Sequence, residues 1–149
     1  MAIKKILLLF LIFFIITSDI SAEIKSLKNN KTNVRLGPDI SYPIKWKYKK
    51  KYLPVQIIDK HYNWRKIKDF ENDTGWIHIS QLSNKKTVIS IEENVLVHSK
   101  PTIFSEPVNK LSQNYSLILK KCQKNWCKVK NKNVIGWVQK DKLWGKFKN

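Results

Sequence analysis

The residues whose types could do chemistry are few. Cys122 and Cys127 are the two cysteines of the chain, with four residues between them. A C-x4-C pair is no metal signature here, because His61, His78 and His98 keep no ligand spacing to one another or to the cysteines. Four intervening residues do suit a β-hairpin whose strands leave and return with the two side chains adjacent. The pair is read as a structural disulfide, with a reactive thiol or unpaired cysteines as the alternatives. For a thiol nucleophile the nearest histidine in sequence is His98, on another strand, and no Asn or Asp is evidently placed to orient it. Glu92-Glu93 is the only adjacent acidic pair, and four glycines build no phosphate loop. No Ser or Cys nucleophile motif and no metal cluster stands out. The chain is therefore expected to be no enzyme, with no catalytic residue, no metal and no cofactor.

The aromatic residues offer binding in place of catalysis. Strand alternation puts Ile67 on one face and Trp64 with Lys66 on the other. Ile77 and Ile79 share a face opposite Trp76 and His78. With the isoleucines inward, Trp64 and Trp76 lie at least partly outside, and Trp126 and Trp137 repeat the arrangement. Aromatic rings beside lysines suit a groove for extended peptides or sugar rings. The competing reading has these tryptophans cap an open barrel end or fill the space between two copies, and for Trp64 and Trp126 it is the stronger one. Tyr42, Trp46 and Tyr48 are the better groove candidates, since the second half of the chain has no aromatic equivalents of Trp46 and Tyr48. The candidate ligand-binding set is thus Tyr42, Trp46, Tyr48, Trp64 and Trp76.

The elements that must position these residues come from an internal repeat. Asn63-Trp64-Arg65-Lys66-Ile67 matches Asn125-Trp126-Cys127-Lys128-Val129. Gly75-Trp76-Ile77 matches Gly136-Trp137-Val138, and Leu82 and Leu143 follow at equal distances. Upstream, Val34 to Pro38 aligns with Val97 to Pro101. Units of about 60 residues close their own cores, so the repeat means two consecutive domains. Runs rich in Val, Ile, Tyr and Trp separated by turn clusters predict five short strands per copy. They fall near 33–36, 45–48, 54–59, 64–68 and 75–78, then near 95–98, 110–111, 117–122, 126–130 and 136–139. Ser80–Leu82 and Asp141–Leu143 each suit one 3₁₀ turn. Five short strands in so few residues predict a strongly twisted barrel, closed so that no edge is exposed.

The N-terminus reads as a targeting segment. Lys4 and Lys5 precede an apolar run of 11 residues, Ile6 to Ile16, and then Thr17, Ser18, Ser21 and Ala22. This is the layout of a signal peptide with cleavage near Ala22, which places the protein in the periplasm or outside the cell. An uncleaved anchor is the competing reading, though the run is well short of the roughly 20 residues that span a bilayer. The expected organisation is 1–22 signal peptide, 23–82 first domain, 83–87 linker and 88–149 second domain.

The formal net charge is +18, with 27 lysines against two arginines. Lysines are scattered, the longest run being Lys49-Lys50-Lys51. The pattern fits a compositional bias better than a nucleic-acid stripe. Either way it implies non-specific attraction to anionic surfaces.

Val34-Arg35-Leu36-Gly37-Pro38, Trp64-x-Lys66-Ile67 and Gly75-Trp76-Ile77-x5-Leu82 resemble a bacterial SH3-like (SH3b) domain. Tyr42-Pro43-Ile44, Trp46-x-Tyr48-Lys49, Leu53-Pro54-Val55 and Asn63-Trp64-Arg65 extend the likeness to a two-domain family of exported SH3-like proteins. Cys122 through Val129, and Gly136-Trp137 through Asp141-x-Leu143-Trp144-Gly145, are similar to its second domain. The resemblance covers residues 31 to 145. It implies an all-β chain of two tandem small SH3-like β-barrels. It also implies a binding module of the cell envelope, with peptidoglycan peptides or an envelope protein as partner. An electrostatic binder of anionic polymers, nucleic acid included, is the alternative. In the second copy His98-Ser99-Lys100-Pro101 replaces Arg35-Leu36-Gly37-Pro38, so the first copy is expected to be the binding unit.

Overall fold

The computed structural model describes residues 22–145 and 147; the expected signal segment lies outside them, apart from Ala22. The first half forms β1 (Ile24–Leu27), β2 (Thr32–Arg35), β3 (Ile44–Tyr48), β4 (Pro54–His61), β5 (Trp64–Lys68), β6 (Thr74–His78) and β7 (Leu82–Ser83). The second forms β8 (Thr87–Ser90), β9 (Val95–His98), β10 (Pro107–Leu111), β11 (Ser116–Gln123), β12 (Trp126–Asn131), β13 (Val134–Gln139) and β14 (Leu143–Gly145). The sheets run β3-β2-β6-β5-β4-β1-β7 and β10-β9-β13-β12-β11-β8-β14, so the two copies share one topology. Single 3₁₀ turns lie at Ile79–Gln81 and Lys140–Lys142, one residue earlier than the sequence predicts.

Each sheet curls without closing its ladder. β3 and β7 end one sheet, and β10 and β14 the other. A full ring is not needed to protect these edges. Lys45 and Lys47 guard β3, and Pro107 and Lys110 guard β10, which discourages pairing with another chain. The curl comes from bulges. β4 pairs with β1 through Pro54–Gln56 and with β5 from Gln56 onward, and its register shifts between Ile57 and Asp59. β11 shifts at the equivalent place, between Leu119 and Lys121. A bulge bends and twists the strand, so one long strand serves both halves of the barrel. Glycine sets the other tight contact. A Cβ on Gly136 would stand 2.7 Å from the His98 carbonyl oxygen, so β9 crosses β13 only over a bare backbone.

The strands turn at Tyr62-Asn63 and at Lys124-Asn125, with φ of +43° at Tyr62 and +50° at Lys124. In the second hairpin Cys122 and Cys127 stand directly opposite, 4.0 Å apart at Cα, and form the expected disulfide. Cys127 is fully buried in the second core beside Val129 and Val138. Replacing both cysteines by alanine is expected to lower stability by about 2 kcal/mol, the chain entropy released by so short a loop. Urea unfolding with and without reductant checks it: reductant should match the double variant and leave that variant unchanged.

The two cores meet at β8. Its four residues, Thr-Val-Ile-Ser, are all buried. Val88 belongs to the second core, while Ile89 belongs to the first. Trp144 on β14 is the ladder partner of Ile89 and packs against the first core with it. Antiparallel partners present their side chains on the same face. The β8–β14 pair therefore closes its own barrel with one face and caps the neighbouring barrel with the other. Ser26 and Ser83 oppose each other at the equivalent place in the first barrel. The segment expected as a linker, 83–87, is taken up at both ends by β7 and β8.

Candidate functional site

A groove runs along the outer face of the first barrel. Its floor is Trp64 on β5, 9% exposed, with His78 of β6 directly opposite in the ladder. The two rings meet edge-on with centroids 5.3 Å apart. Arg35, Asp39 and Ile40 form one wall and Gln81 of the 3₁₀ turn the other, around a space of about 490 Å3. The ladder does place Trp64 on the opposite face from Ile67, as alternation requires. It is nonetheless buried, because the β2–β3 loop and His78 cover it.

That loop is held by its own polar groups. Arg35 Nη1 donates to the Tyr42 carbonyl at 2.6 Å, and the Ser41 N–H donates to Asp39 Oδ1 at 2.8 Å. The Ser41 backbone N–H, its hydroxyl and the Arg35 charge hold the Asp39 carboxyl below the usual carboxylate range. The Tyr42 ring lies across Gly37, where a Cβ would come within 2.5 Å of it. Ile40 is left 71% exposed at the rim. On the far side the Ser80 N–H donates to His78 Nδ1 at 3.3 Å, so the neutral ring carries its proton on Nε2.

The same groove is rebuilt in the second barrel. His98 takes the place of Arg35, Ile103 of Ile40, Trp126 of Trp64, Gln139 of His78 and Lys142 of Gln81. His98, Ile103, Gln139 and Lys142 line a space of about 320 Å3, with Glu92 and Glu93 at its rim. Trp126 again meets an imidazole edge-on, now His98, at 5.2 Å. The Trp–His pair is thus kept while the histidine changes walls. His98 is 8% exposed, and its Nδ1 lies 2.9 Å from the Ser105 carbonyl, to which it must donate. Sequence reasoning set His98 aside as a departure from Arg35. The shared position was the available signal, but the stacking on Trp126 shows only in three dimensions.

The five candidate aromatics do not form one surface. Trp64 floors the groove and Tyr42 steadies its loop. Trp46 and Tyr48 pack against the first core, edge-on to each other at 5.8 Å. Trp76 is half-buried on β6, opposite Lys66 and Arg35. The missing aromatics in the second copy therefore reflect a different core closure. Trp46 Cη2 lies 3.4 Å from where a Gly75 Cβ would be, and Val108 Cγ2 lies 3.4 Å from the same point on Gly136.

One acidic group gathers at the β5–β6 turn. The carboxylates of Asp69, Glu71 and Asp73 lie within 4.8 Å of one another. Asp69 is 5% exposed. It accepts from the Tyr48 hydroxyl at 2.7 Å, the Asp73 N–H at 2.9 Å and the Glu71 N–H at 3.1 Å. Those donors tie the buried carboxylate to the turn. Elsewhere the described residues form three ion pairs, Lys25–Glu23, Lys60–Glu23 and Lys142–Glu92, so most lysines face solvent without a carboxylate partner.

The family model described as Bacterial SH3 domain matches residues 28–84, and a second of the same description matches residues 93–143. The chain belongs to the bacterial SH3 domain family and carries two such domains in tandem, consistent with a binding module. No curated protein matches the sequence. Among solved structures it is similar to NlpC1 from Trichomonas vaginalis, with 16% identity and a TM-score of 0.38 over 88% of this chain and 48% of that one. NlpC2 from the same organism gives 15% identity and 0.38 over 87% and 50%. The chain spans about half the length of these two proteins.

Proposed function

We propose that this chain is an exported, non-enzymatic binding protein of the bacterial cell envelope, periplasmic or secreted, whose grooves take peptidoglycan peptides or a segment of an envelope protein. The observation that carries the reading is the recurrence of one groove in both barrels. A position needed only for folding can vary between copies once its own core is satisfied. Here an imidazole edge on a tryptophan, buried at Trp64 and half-buried at Trp126, and an exposed isoleucine at the loop rim recur although the histidine has moved. A shallow apolar floor between polar walls suits an extended peptide. Sedimentation with insoluble wall material at moderate salt tests the reading, and no retention of the protein would sink the wall version. Exchanging both exposed rim residues, Ile40→Ser with Ile103→Ser, should weaken retention on the order of tenfold without unfolding either barrel.

The charge supports a second reading, an electrostatic binder of anionic polymers or lipid surfaces. Among the described residues few lysines are neutralised by ion pairs. Such binding falls steeply with salt, whereas groove binding does not. Retention unchanged between low and moderate salt excludes it.

A further inference from the structure

A second concave site lies apart from both grooves, where the first barrel meets the second. Leu53 and Phe70 of the first barrel and Ile89 of the second make its apolar floor, beneath a space of about 350 Å3. Lys47 and Lys49 stand exposed on one rim, and neither is in an ion pair among the described residues. Lys50 closes the end, its Nζ donating to the Asn114 carbonyl at 2.6 Å across the two barrels. Asn114 also lines the cleft, and its side-chain oxygen has no hydrogen-bond partner among the described residues. Glu71 stands exposed on the opposite rim.

We propose that this inter-barrel cleft binds the carboxylate end of a short peptide bearing a small apolar side chain. The inference rests on the reading of the chain as a peptide-binding protein and adds a site that neither groove contains. Each part of the ligand has a counterpart. Lys47 and Lys49 face the terminal carboxylate, Leu53, Phe70 and Ile89 the side chain, and the exposed Glu71 carboxylate the last amide N–H. Capture of a C-terminal carboxylate is a recurrent peptide-recognition mode, and lysine ammonium groups bind a carboxylate through charge-assisted hydrogen bonds. The volume, at the lower end of ligand sites, limits the occupant to about two residues. A polyanion fits worse. Asp69 is already saturated by its three donors, but its charge and that of Glu71 remain on the wall opposite the lysines and repel a second anionic group.

The test is a titration of the two-barrel protein, followed by amide NMR, with N-acetyl-alanyl-alanine of either chirality and with its C-terminal amide. The free acid is expected to shift the backbone resonances of Phe70, Glu71 and Asn114, and the amide to bind at least about tenfold more weakly. Lys47→Gln with Lys49→Gln, both on exposed positions, should give the same loss with an unchanged melting curve. Equal binding of acid and amide overturns the proposal, as does a response of these resonances to polyphosphate but not to the peptide. Shifts confined to the surroundings of Trp64 and Trp126 overturn the cleft and leave the groove reading standing. Shifts confined to the cleft do the reverse.

Discussion

Replacing Ile89 by aspartate is expected to lower the stability of the first barrel by about 4 kcal/mol while the second barrel stays folded. Ile89 is fully buried, and the core it completes is not that of its own domain. Truncating a buried isoleucine costs roughly 2–5 kcal/mol, and a carboxylate in its place must also be desolvated or protonated. The chain has one escape, which is to part the barrels and let the carboxylate reach water. Parting exposes Trp144 and the floor of the first core but leaves Val88, Leu143 and the rest of the second core in place. Hydrogen exchange reads this directly. Amides of Ile67 and Ile77 should lose protection, and those of Val129 and Val138 should keep it. Ile89→Val, which removes one methylene, should cost about 1 kcal/mol and leave the barrels coupled. Equal loss of protection in both barrels after Ile89→Asp would show that β8 serves mainly its own domain, contrary to the packing.

The same strand shows what the sequence could and could not tell. Five strands per copy are legible because their Trp, Val and Ile residues alternate with Lys between turn clusters, and the observed bounds lie close to the predicted ones. β1, β7, β8 and β14 are not, because their short runs Ile-Lys-Ser-Leu, Leu-Ser, Thr-Val-Ile-Ser and Leu-Trp-Gly carry no sustained apolar–polar alternation. Thr87–Ser90 shows no alternation because both of its faces are covered, one by each barrel. Burial on two sides erases the period-two signal that marks a half-exposed strand. The disulfide was legible because it depends on local spacing alone. The groove was legible only in part. Trp64 could be assigned to the outer face, but its cover of loop and histidine depends on contacts between residues distant in sequence, 24 positions apart for Trp64–Ile40 and 28 for His98–Trp126. The difference between copies at Trp46 and Tyr48 also marks how each core is closed, since both rings pack against the first core while Tyr48 lines the inter-barrel cleft as well.

Asp69 decides how the first core is closed, and Asp69→Ala is expected to cost about 3 kcal/mol. Its carboxylate is buried and accepts three hydrogen bonds, from Tyr48 on the edge strand and from two backbone N–H groups of the β5–β6 turn. Alanine leaves all three donors without that partner. The two turn amides lie near solvent and recover part of the loss from water, which keeps the total below the sum of three charge-assisted bonds. Tyr48→Phe removes one donor only and should cost about half as much. The second barrel has no such pair: Leu111 stands opposite Val95 as Tyr48 stands opposite Thr32, and Asn131 turns its amide to the Ser116 carbonyl at 2.7 Å. The effect should therefore fall on the first barrel. It also carries a pH signature. Burial, and then the hydrogen bond to Asp69, push the Tyr48 hydroxyl well above the ordinary tyrosine range. The folded state thus holds a proton that the unfolded chain releases near pH 10, so this contribution is whole below about pH 10 and is lost as pH rises beyond it. Urea unfolding between about pH 9 and 11 should show stability of the native protein falling more steeply than that of Tyr48→Phe. Parallel slopes would mean that the hydroxyl is open to water, and the Tyr48–Asp69 bond would then not be what closes this end of the barrel.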